Sequence, residues 1–314
     1  MTTIWSYGFI NLDIITQTIP EWPEQGISTW VDRMQFKIGG VALNPAAAVA
    51  RLGGLPVGLI GYIGNDVPGQ IVRQELKILG LDTTRLVVDD TLPTGTCIVA
   101  VHPDTERTFI TCAGVNQRLQ TEKISIEGLS EKDFFHVGGA GGLTNAPELL
   151  QEVQAQGATT SMDVSFDKSG QWWSRLAPVF PYLDIFLANA LEADRLTGTN
   201  DPQQAVRKIA AAGPELVIVK LGREGAYLYT PTWEGYIQPF LVEAVDTTGA
   251  GDSFAGSLLY GLAKGWSIEQ AATFANAVGA LSTQTAGATE GVRSYAETLA
   301  FMATQNRLGD WDWA

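Results

Sequence analysis

The feature that most constrains the fold is an alternation of short, apolar, β-branched runs with segments of helical periodicity, from about residue 40 onward. Runs of this kind predict strands that are buried on both faces, and the helices between them predict parallel connections. The pattern is typical of an α/β protein whose helices cover both faces of a mostly parallel sheet, which makes a three-layer α/β/α arrangement. The predicted strands are 4–10, 57–62, 134–139, 158–164, 183–188 and 215–221.

Recognisable end signals mark the predicted helices. Asn44 is predicted as an N-cap, because Pro45 follows it in the first helical position and Gly53 comes after the last apolar residue. The other predicted helices are 67–79, 146–156, 190–197, 202–212 and 252–263.

Two stretches interrupt this rhythm, because residues 11–38 and 94–112 read as strands with no helix between them. They predict a small separate sheet, a lid over the carboxyl ends of the core strands, where open α/β sheets bind ligands. The predicted core is therefore 1–10, 39–93 and 113–314, and the predicted lid is 11–38 and 94–112.

Composition excludes several classes of function. The chain has 34 acidic and 20 basic residues and a formal charge of −14, which disfavours binding to nucleic acid or to an anionic membrane. An anionic ligand would need a local site of positive potential on this acidic chain. Cys97 and Cys112 have no metal-site spacing, and with no signal-peptide pattern or membrane-length apolar run we expect reduced thiols in the cytoplasm.

The stretch "VDTTGAGDSF", residues 245–254, predicts such a site for an anion. Gly249, Ala250 and Gly251 carry little or no side chain, so their N–H groups can approach an anion at a helix start. Asp252 follows at once. It is either an N-cap of that helix or a general base that accepts the proton of an attacking hydroxyl during phosphoryl transfer.

The same stretch, extended to "DTTGAGDSFAGSLLYGL", resembles the C-terminal signature of the PfkB, or ribokinase-like, carbohydrate kinases. "KIGGVALNPAAAVARLGG" (37–54) is similar to the N-terminal signature of that family. Further blocks that resemble the family follow in the same order and cover nearly the whole chain. They are "GFINLD", "IGNDVPG", "ERTFITCAGVN", "ANALE", "VKLGREGAYL" and "FANAVGALSTQTAGA".

The resemblance implies a ribokinase-like fold with a β-sheet lid and transfer of the γ-phosphoryl group of Mg-ATP to a sugar hydroxyl. It makes Asp252 the catalytic base and the turn Gly249, Ala250, Gly251 the anion hole. It also assigns residues to the sugar site: Asn11, Asp13, Gly39, Gly40 and Asn44, with Arg107 as a lid residue near the substrate or an anion.

For the nucleotide, the resemblance implies a second set: Asn189, Glu192, Lys220, Gly222, Gly225 and Asn276. Glu192 would hold Mg²⁺ through water, since hard oxygen ligands and retained waters suit this ion. Asp246 and Thr248 resemble the pair that helps to coordinate K⁺ in cation-dependent members. Read without the family, Asp13 is a solvated carboxylate, Glu192 a surface residue of a capped helix and Arg107 a surface residue beside a turn.

The substrate stays open at this stage. The "AGVN" block with Asn11 and Asp13 favours ribokinase-like or fructokinase-like members. A 2-keto-3-deoxygluconate kinase would need cations for the acid, and of these only Arg107 is well placed. The motifs are also compatible with a nucleoside kinase of the same fold and with a non-catalytic sugar-binding regulatory homologue. Relatives often pair their lids, so a homodimer through the lid is a further expectation.

Overall fold

Strands and helices alternate along most of the chain, as the apolar pattern predicts. The structure, a computed structural model, describes residues 1–16, 18–19, 21–102, 107–120, 124–139, 146–165 and 170–313. The strands are β1 (Ile4–Gly8), β2 (Asn11–Thr16), β3 (Met34–Gly39), β4 (Val57–Gly64), β5 (Leu86–Asp89), β6 (Gly95–Val101), β7 (Arg107–Cys112), β8 (Phe134–Gly138), β9 (Thr159–Asp163), β10 (Ile185–Asn189), β11 (Leu216–Lys220), β12 (Ala226–Tyr229) and β13 (Glu234–Ile237). The helices are α1 (Leu43–Leu52), α2 (Val67–Leu79), α3 (Ala146–Ala155), α4 (Trp172–Leu176), α5 (Ala190–Thr197), α6 (Pro202–Ala210), α7 (Ala250–Ala263), α8 (Ile268–Ser282) and α9 (Tyr295–Thr304).

The large sheet has nine strands in the order β13-β12-β11-β10-β9-β8-β1-β4-β5. Every pairing from β11 to β5 is parallel, and only β12 and β13, at one edge, are antiparallel. The prediction of a mostly parallel sheet is therefore confirmed.

Helices cover both faces of this sheet because its strands are apolar on both sides. Ile4 of β1 belongs to a core that includes α1, α2, α7, α8 and α9. Trp5, the next residue, belongs to the opposite core with α3, α4, α5 and α6. Since successive side chains of a strand point to opposite faces, the two cores make the predicted three layers.

Four strands form a second sheet, called the small sheet below, in the order β3-β2-β6-β7. β2 pairs antiparallel with β3 and parallel with β6, and β6 pairs antiparallel with β7. These strands lie in the two stretches that interrupt the α/β rhythm, apart from Gly39 at the end of β3. Between β6 and β7 the sequence "HPDTER" (102–107) predicts a turn, and its residues 103–106 lie outside the described residues. The domain boundaries stay a prediction.

Two helix starts differ from the prediction. α1 begins at Leu43, and Asn44 is not its N-cap, because the Asn44 side chain bonds to Asp252 instead of to its own first turn. α7 begins at Ala250, two residues before the predicted start, with Gly249 as the N-cap in the left-handed region. Asp252 therefore lies inside the first turn and is not the cap. Within the described residues, no helix is long and apolar enough to cross a membrane.

Close packing of α1 on α7 generates a stability prediction. A Cβ on Gly256 of α7 would lie 2.3 Å from the carbonyl oxygen of Pro45. Gly256→Ala should therefore overpack this contact and lower the free energy of unfolding by about 1–3 kcal/mol, seen as a lower Tm. Gly279→Ala in α8 is the matched control, because its nearest heavy atom would be 3.4 Å away. Both changes gain helix propensity, so equal Tm values would contradict the packing argument.

Candidate active site

The carboxyl ends of the parallel strands bring the polar residues of the core together. The strand register aligns Gly8, Gly138 and Asp163 on β1, β8 and β9, and it aligns Asn189 with Lys220 on β10 and β11. A cavity of about 980 Å³ opens at this edge. Its lining includes Asp163, Asn189, Glu192, Lys220, Gly222, Gly225, Gly249, Ala250, Gly251, Asp252 and Asn276.

The predicted glycine turn leads from Asp246 into α7. Gly249 has a φ of 72°, which favours glycine, and a Cβ there would lie 2.2 Å from the carbonyl oxygen of Ala288. The amides of Gly251 and Asp252 lie in the first turn, where the α-helical pattern supplies no acceptor. The helix N-terminus therefore directs N–H groups and positive potential toward the cavity, as an anion site requires.

Asp252 joins the two glycine-rich blocks of the sequence. Asn44 Nδ2 donates a hydrogen bond to Asp252 Oδ2 at 2.7 Å, across 208 positions of the chain. The other side-chain atom of Asn44, Oδ1, is buried and has no hydrogen-bond partner within the described residues. One end of the amide thus orients the carboxylate, and the other is an acceptor without a partner beside it.

Sequence reasoning missed Asp163, which forms an ion pair with Lys220 at the centre of the site. Asp163 is 6% exposed, and its Oδ1 has no hydrogen-bond partner within the described part of the chain. Lys220 Nζ would lie 3.1 Å from a Cβ on Gly251, so the ammonium group sits directly beside the glycine turn. Lys220 is therefore placed to meet an anion held by that turn.

Asn189 and Glu192 form a capping box at the start of α5. Asn189 Oδ1 accepts from the Glu192 amide at 2.9 Å, and Glu192 Oε2 accepts from the Asn189 amide at 2.8 Å. These two hydrogen bonds give Asn189 and Glu192 a structural role as the cap of α5. Both residues also line the cavity, and Glu192 is only 8% exposed, so it is not a surface residue.

Negative charge exceeds positive charge in this cluster of Asp163, Glu192, Asp252 and Lys220. Burial raises the pKa of Glu192 to about 7, and the charge of Asp163 contributes to this rise. Burial and then the charge of Asp163 also raise the pKa of Asp252, to about 6, against the opposing effects of Asn44 and Lys220. Burial raises the pKa of Asp163 as well, although Lys220 opposes it. The site therefore favours a ligand that brings positive charge.

The predicted sugar residues meet where the small sheet joins the core. β2 pairs with β3 so that a Cβ on Gly39 would lie 2.3 Å from Asp13 Oδ2, which explains the glycine. Gly40, with a φ of 113°, would place a Cβ 2.3 Å from the carbonyl oxygen of Phe9. Burial raises the pKa of Asp13 to about 6, and the charge of Glu290 adds to this effect.

Asn11 is held by Asn116, a fully buried residue of the "AGVN" block. Asn116 Nδ2 donates to Asn11 Oδ1 at 2.9 Å and to the Ile10 carbonyl oxygen at 3.1 Å, while its Oδ1 accepts from the Ile10 amide. Asn116 therefore fixes both the backbone and the side chain at the start of β2.

The remaining residues predicted to bind the nucleotide, Gly222, Gly225 and Asn276, also line the cavity. Gly222 has a φ of 59°, and a Cβ on Gly225 would lie 2.1 Å from the carbonyl oxygen of Ile237. Asn276 Nδ2 is within 3.3 Å of the Ile237 carbonyl oxygen and 3.2 Å of that of Gln238. Asn276 thus fixes the segment that forms this wall of the cavity.

Arg107, Asp246 and Thr248 form one group. Arg107 Nη2 lies 2.7 Å from Asp246 Oδ1, and Arg107 Nη1 donates to Thr248 Oγ1 at 2.7 Å. The structure thus brings the predicted lid arginine onto the two residues predicted to bind K⁺.

Comparison with known proteins decides the family. The family model described as pfkB family carbohydrate kinase matches residues 1–294. The chain belongs to this family. It is 29% identical over 293 residues to a 2-dehydro-3-deoxygluconokinase of Bacillus subtilis, covering 86% of this chain and 88% of that protein.

Solved structures agree with the fold. A fructokinase from Xylella fastidiosa with bound ATP has a TM-score of 0.83 and 26% identity, over 97% of this chain and 99% of that one. A fructokinase double mutant from Vibrio cholerae O395, in a form with fructose, ADP and potassium ion bound, has a TM-score of 0.81 and 26% identity, over 96% and 98%. The chain is thus a ribokinase-like carbohydrate kinase, a phosphotransferase that acts on hydroxyl groups.

Besides Asp163 and Asn116, sequence reasoning on this pfkB chain missed Glu290, which pairs with Lys37 Nζ at 2.9 Å and raises the pKa of Asp13. In this loop "GATEGV" (287–292) stands where sequences that resemble the family more usually end in small polar residues and proline, and this difference was the signal for Glu290. Asp163 reads as the last polar residue of a strand, and only the sheet register places it beside Lys220.

The raised carboxyl pKa values predict an unusual pH dependence of stability. Asp252 and Glu192 bind protons more tightly in the folded chain than at their ordinary pKa values of 3.8 and 4.5. Between the ordinary and the raised values the folded chain holds more protons, so stability falls as pH rises from about 4 to about 7, and the full cost is present above that range. We expect the ligand-free kinase to melt at a higher temperature at pH 5.5 than at pH 7.5.

The neutral variants Asp252→Asn and Glu192→Gln should each raise the free energy of unfolding by about 1 kcal/mol at pH 7.5, which is seen as a higher Tm. The gain should be smaller at pH 5, because the wild-type carboxyls are then largely protonated. Glu269→Gln, an ordinary first-turn change in α8, is the control. A gain in Tm that does not vary with pH would contradict the electrostatic explanation.

Proposed function

We propose that this kinase transfers the γ-phosphoryl group of ATP to a hydroxyl of a neutral sugar, with Asp252 as the general base. The observation that carries the proposal is the hydrogen bond from Asn44 to Asp252, beside the glycine turn. In the reaction, the sugar oxygen bonds to the γ-phosphorus, the bond from that phosphorus to the ADP oxygen breaks, and the hydroxyl proton passes to Asp252. A carboxyl pKa of about 6 leaves Asp252 ionised at neutral pH and still basic enough to accept that proton.

The glycine turn and Lys220 would hold the phosphoryl group. The amides of the first turn of α7 direct positive potential toward it, and Lys220 Nζ lies beside Gly251. Gly222 and Gly225 let the backbone approach the nucleotide, and Asn276 supports the wall against which it would lie.

Mg²⁺ fits the part of the cavity lined by Asn189 and Glu192. Among the described residues, no group of three or more His, Cys, Asp and Glu side chains is arranged as a metal site, so an all-protein cage is not the expected mode. Mg²⁺ more often takes one or two carboxylates, several waters and substrate phosphates. Glu192 and Asn189 would hold its waters, and the ion would neutralise charge on the phosphates. Asp246 is paired with Arg107, so we do not propose K⁺ as a cofactor.

Charge at the sugar end favours a neutral acceptor. Asp13 and Glu290 both carry carboxylates there, and Lys37 is already paired with Glu290. An acidic sugar would meet these carboxylates, so we rank ribose or fructose above 2-keto-3-deoxygluconate.

The competing functions are those of a nucleoside kinase and of a non-catalytic sugar-binding homologue. We also propose that the small sheet is a lid that excludes water, and that the chain, with its two free cysteines, works in the cytoplasm.

The test is ATP-dependent phosphorylation of ribose, fructose, 2-keto-3-deoxygluconate and adenosine in the presence of Mg²⁺. We expect turnover on a neutral sugar, and a fall in kcat of about 10²- to 10⁴-fold in Asp252→Asn, since a general base contributes this much.

Asp184→Asn is the matched control, because this carboxylate bonds to Thr160 at the opposite end of the strands. Its kcat should stay near that of the wild type. Binding of ATP and sugar without turnover would support the regulatory homologue, and turnover on the acid alone would overturn the neutral-sugar assignment.

We further propose that the chain forms a homodimer through the outer face of the small sheet. Ile14 of β2 pairs with Phe36 and with Ile98, and Ile98 pairs with Ile110, so one apolar row crosses all four strands. Phe36, Ile98 and Ile110 are 58%, 40% and 52% exposed. An exposed contiguous apolar surface of this kind is typical of a protein contact site.

Sedimentation of the wild type should give the mass of two chains, and Ile98→Lys should give the mass of one. Val87→Lys is the control, because Val87 is similarly exposed, at 43%, on the edge strand β5 of the large sheet. A monomeric wild type at working concentration would contradict the dimer.

A further inference from the structure

N–H groups from the surrounding loops and from Arg107 donate hydrogen bonds to the Asp246 carboxylate. Oδ1 accepts from the Thr248 amide at 2.8 Å and from Arg107, and Oδ2 accepts from the Gly287 amide at 2.9 Å. A carboxylate has about four lone-pair sites, so three are occupied. The carbonyl oxygen of Thr283, on the same loop, already accepts from the amides of Val245 and Asp246.

This arrangement does not fit a bound monovalent cation. K⁺ is held by a shell of oxygen atoms that replace its water, whereas three of the four lone-pair sites of the Asp246 carboxylate already accept N–H groups. The Thr248 hydroxyl oxygen also accepts from Arg107. The two acceptors that face Arg107, Asp246 Oδ1 and Thr248 Oγ1, suit a planar cation with several N–H groups, which is what a guanidinium is.

The charge of Arg107 lies close to the anion turn. Thr248 directly precedes Gly249, so the two hydrogen bonds of Arg107 hold the segment that enters α7. Asp246 is 9% exposed, and the Arg107 side chain is 25% exposed, so solvent screens this pair only in part. Burial raises the pKa of Asp246, but the N–H donors of Gly287 and Thr248 and the charge of Arg107 outweigh that effect and lower it.

Arg107 belongs to the small sheet, and this gives the contact a mechanical consequence. β7, which carries Arg107, and β3, which carries Lys37, are the two edge strands of that sheet. Arg107 is bonded to the segment before the glycine turn, and Lys37 is bonded to Glu290 on the loop that also supplies the Gly287 amide. The small sheet is thus attached to the anion turn and to its supporting loop at two points.

We propose that Arg107 is the resident cation of this site: a guanidinium carried by the small sheet takes the place of a bound monovalent cation. It follows that phosphoryl transfer does not require K⁺, and that the turn 249–252 reaches its working geometry only with the small sheet docked. This inference rests on the proposed sugar kinase activity.

The experiment compares wild type, Arg107→Ala and the surface control Arg73→Ala in buffers whose only monovalent cation is K⁺, Na⁺ or tetramethylammonium. We expect the wild type and the control to turn over equally in all three. Arg107→Ala should lose about 10²-fold of kcat in tetramethylammonium, the lower end of the loss seen when one anion-hole donor is removed, and should recover with added K⁺ or guanidinium ion. A wild type that needs K⁺, or an Arg107→Ala variant that only raises the sugar KM, would overturn the proposal.

Thermal melting separates this inference from the kinase proposal. With increasing KCl, and with NaCl as the reference salt, the Tm of the wild type should show no preference for K⁺, whereas Arg107→Ala should be stabilised selectively by K⁺. Selective stabilisation of the wild type would overturn the resident cation even if no sugar is phosphorylated. Silence of every sugar with the expected melting pattern would remove the proposed activity and leave the cation assignment intact.

Discussion

The hydrogen bond between Asn44 and Asp252 is the interaction on which the rest of the site depends, because it joins the starts of α1 and α7. Its short length requires the two helices to approach closely, and Gly256 against the backbone of Pro45 permits that approach. Gly249 sets the entry of α7 so that Asp252 falls in the first turn, beside the amides that would meet a phosphoryl group. One contact between distant segments thus places the candidate base, the glycine turn and the predicted sugar residues next to one another.

Unbalanced negative charge is the second constraint. Asp163, Glu192 and Asp252 share one lysine in a partly buried cleft, and the raised pKa values of these carboxyls show that the ligand-free chain bears this at a cost in stability. A ligand that brings Mg²⁺ would reduce the repulsion, so binding and stabilisation are linked. Asp246 faces the opposite situation, since Arg107 and amide donors surround it and its pKa is lowered. The two groups lie on either side of the same glycine turn.

Much of this architecture is readable from the sequence because it rests on local patterns. Apolar runs predict the parallel strands, the missing helices predict the small sheet, and the glycine turn predicts an anion site. The predicted starts of α1 and α7 were less accurate. The long-range hydrogen bond of Asn44 and the left-handed conformation of Gly249 override the local capping signals there. Asp163, Glu290 and the pairing of Arg107 with Asp246 depend on register and on loop contacts between distant segments, such as the 57 positions from Asp163 to Lys220, which no local pattern encodes.

The most direct test of the account is the pH dependence of kcat/KM in the wild type and in Asp163→Asn. Removing the charge of Asp163 while keeping Lys220 should lower the pKa of Asp252 from about 6, so the acid limb of the profile should move to lower pH. Asp133→Asn, a buried carboxylate at the opposite end of the sheet, should change Tm and leave the limb in place. An acid limb that does not move in Asp163→Asn would contradict the claim that this cluster tunes Asp252 as the base.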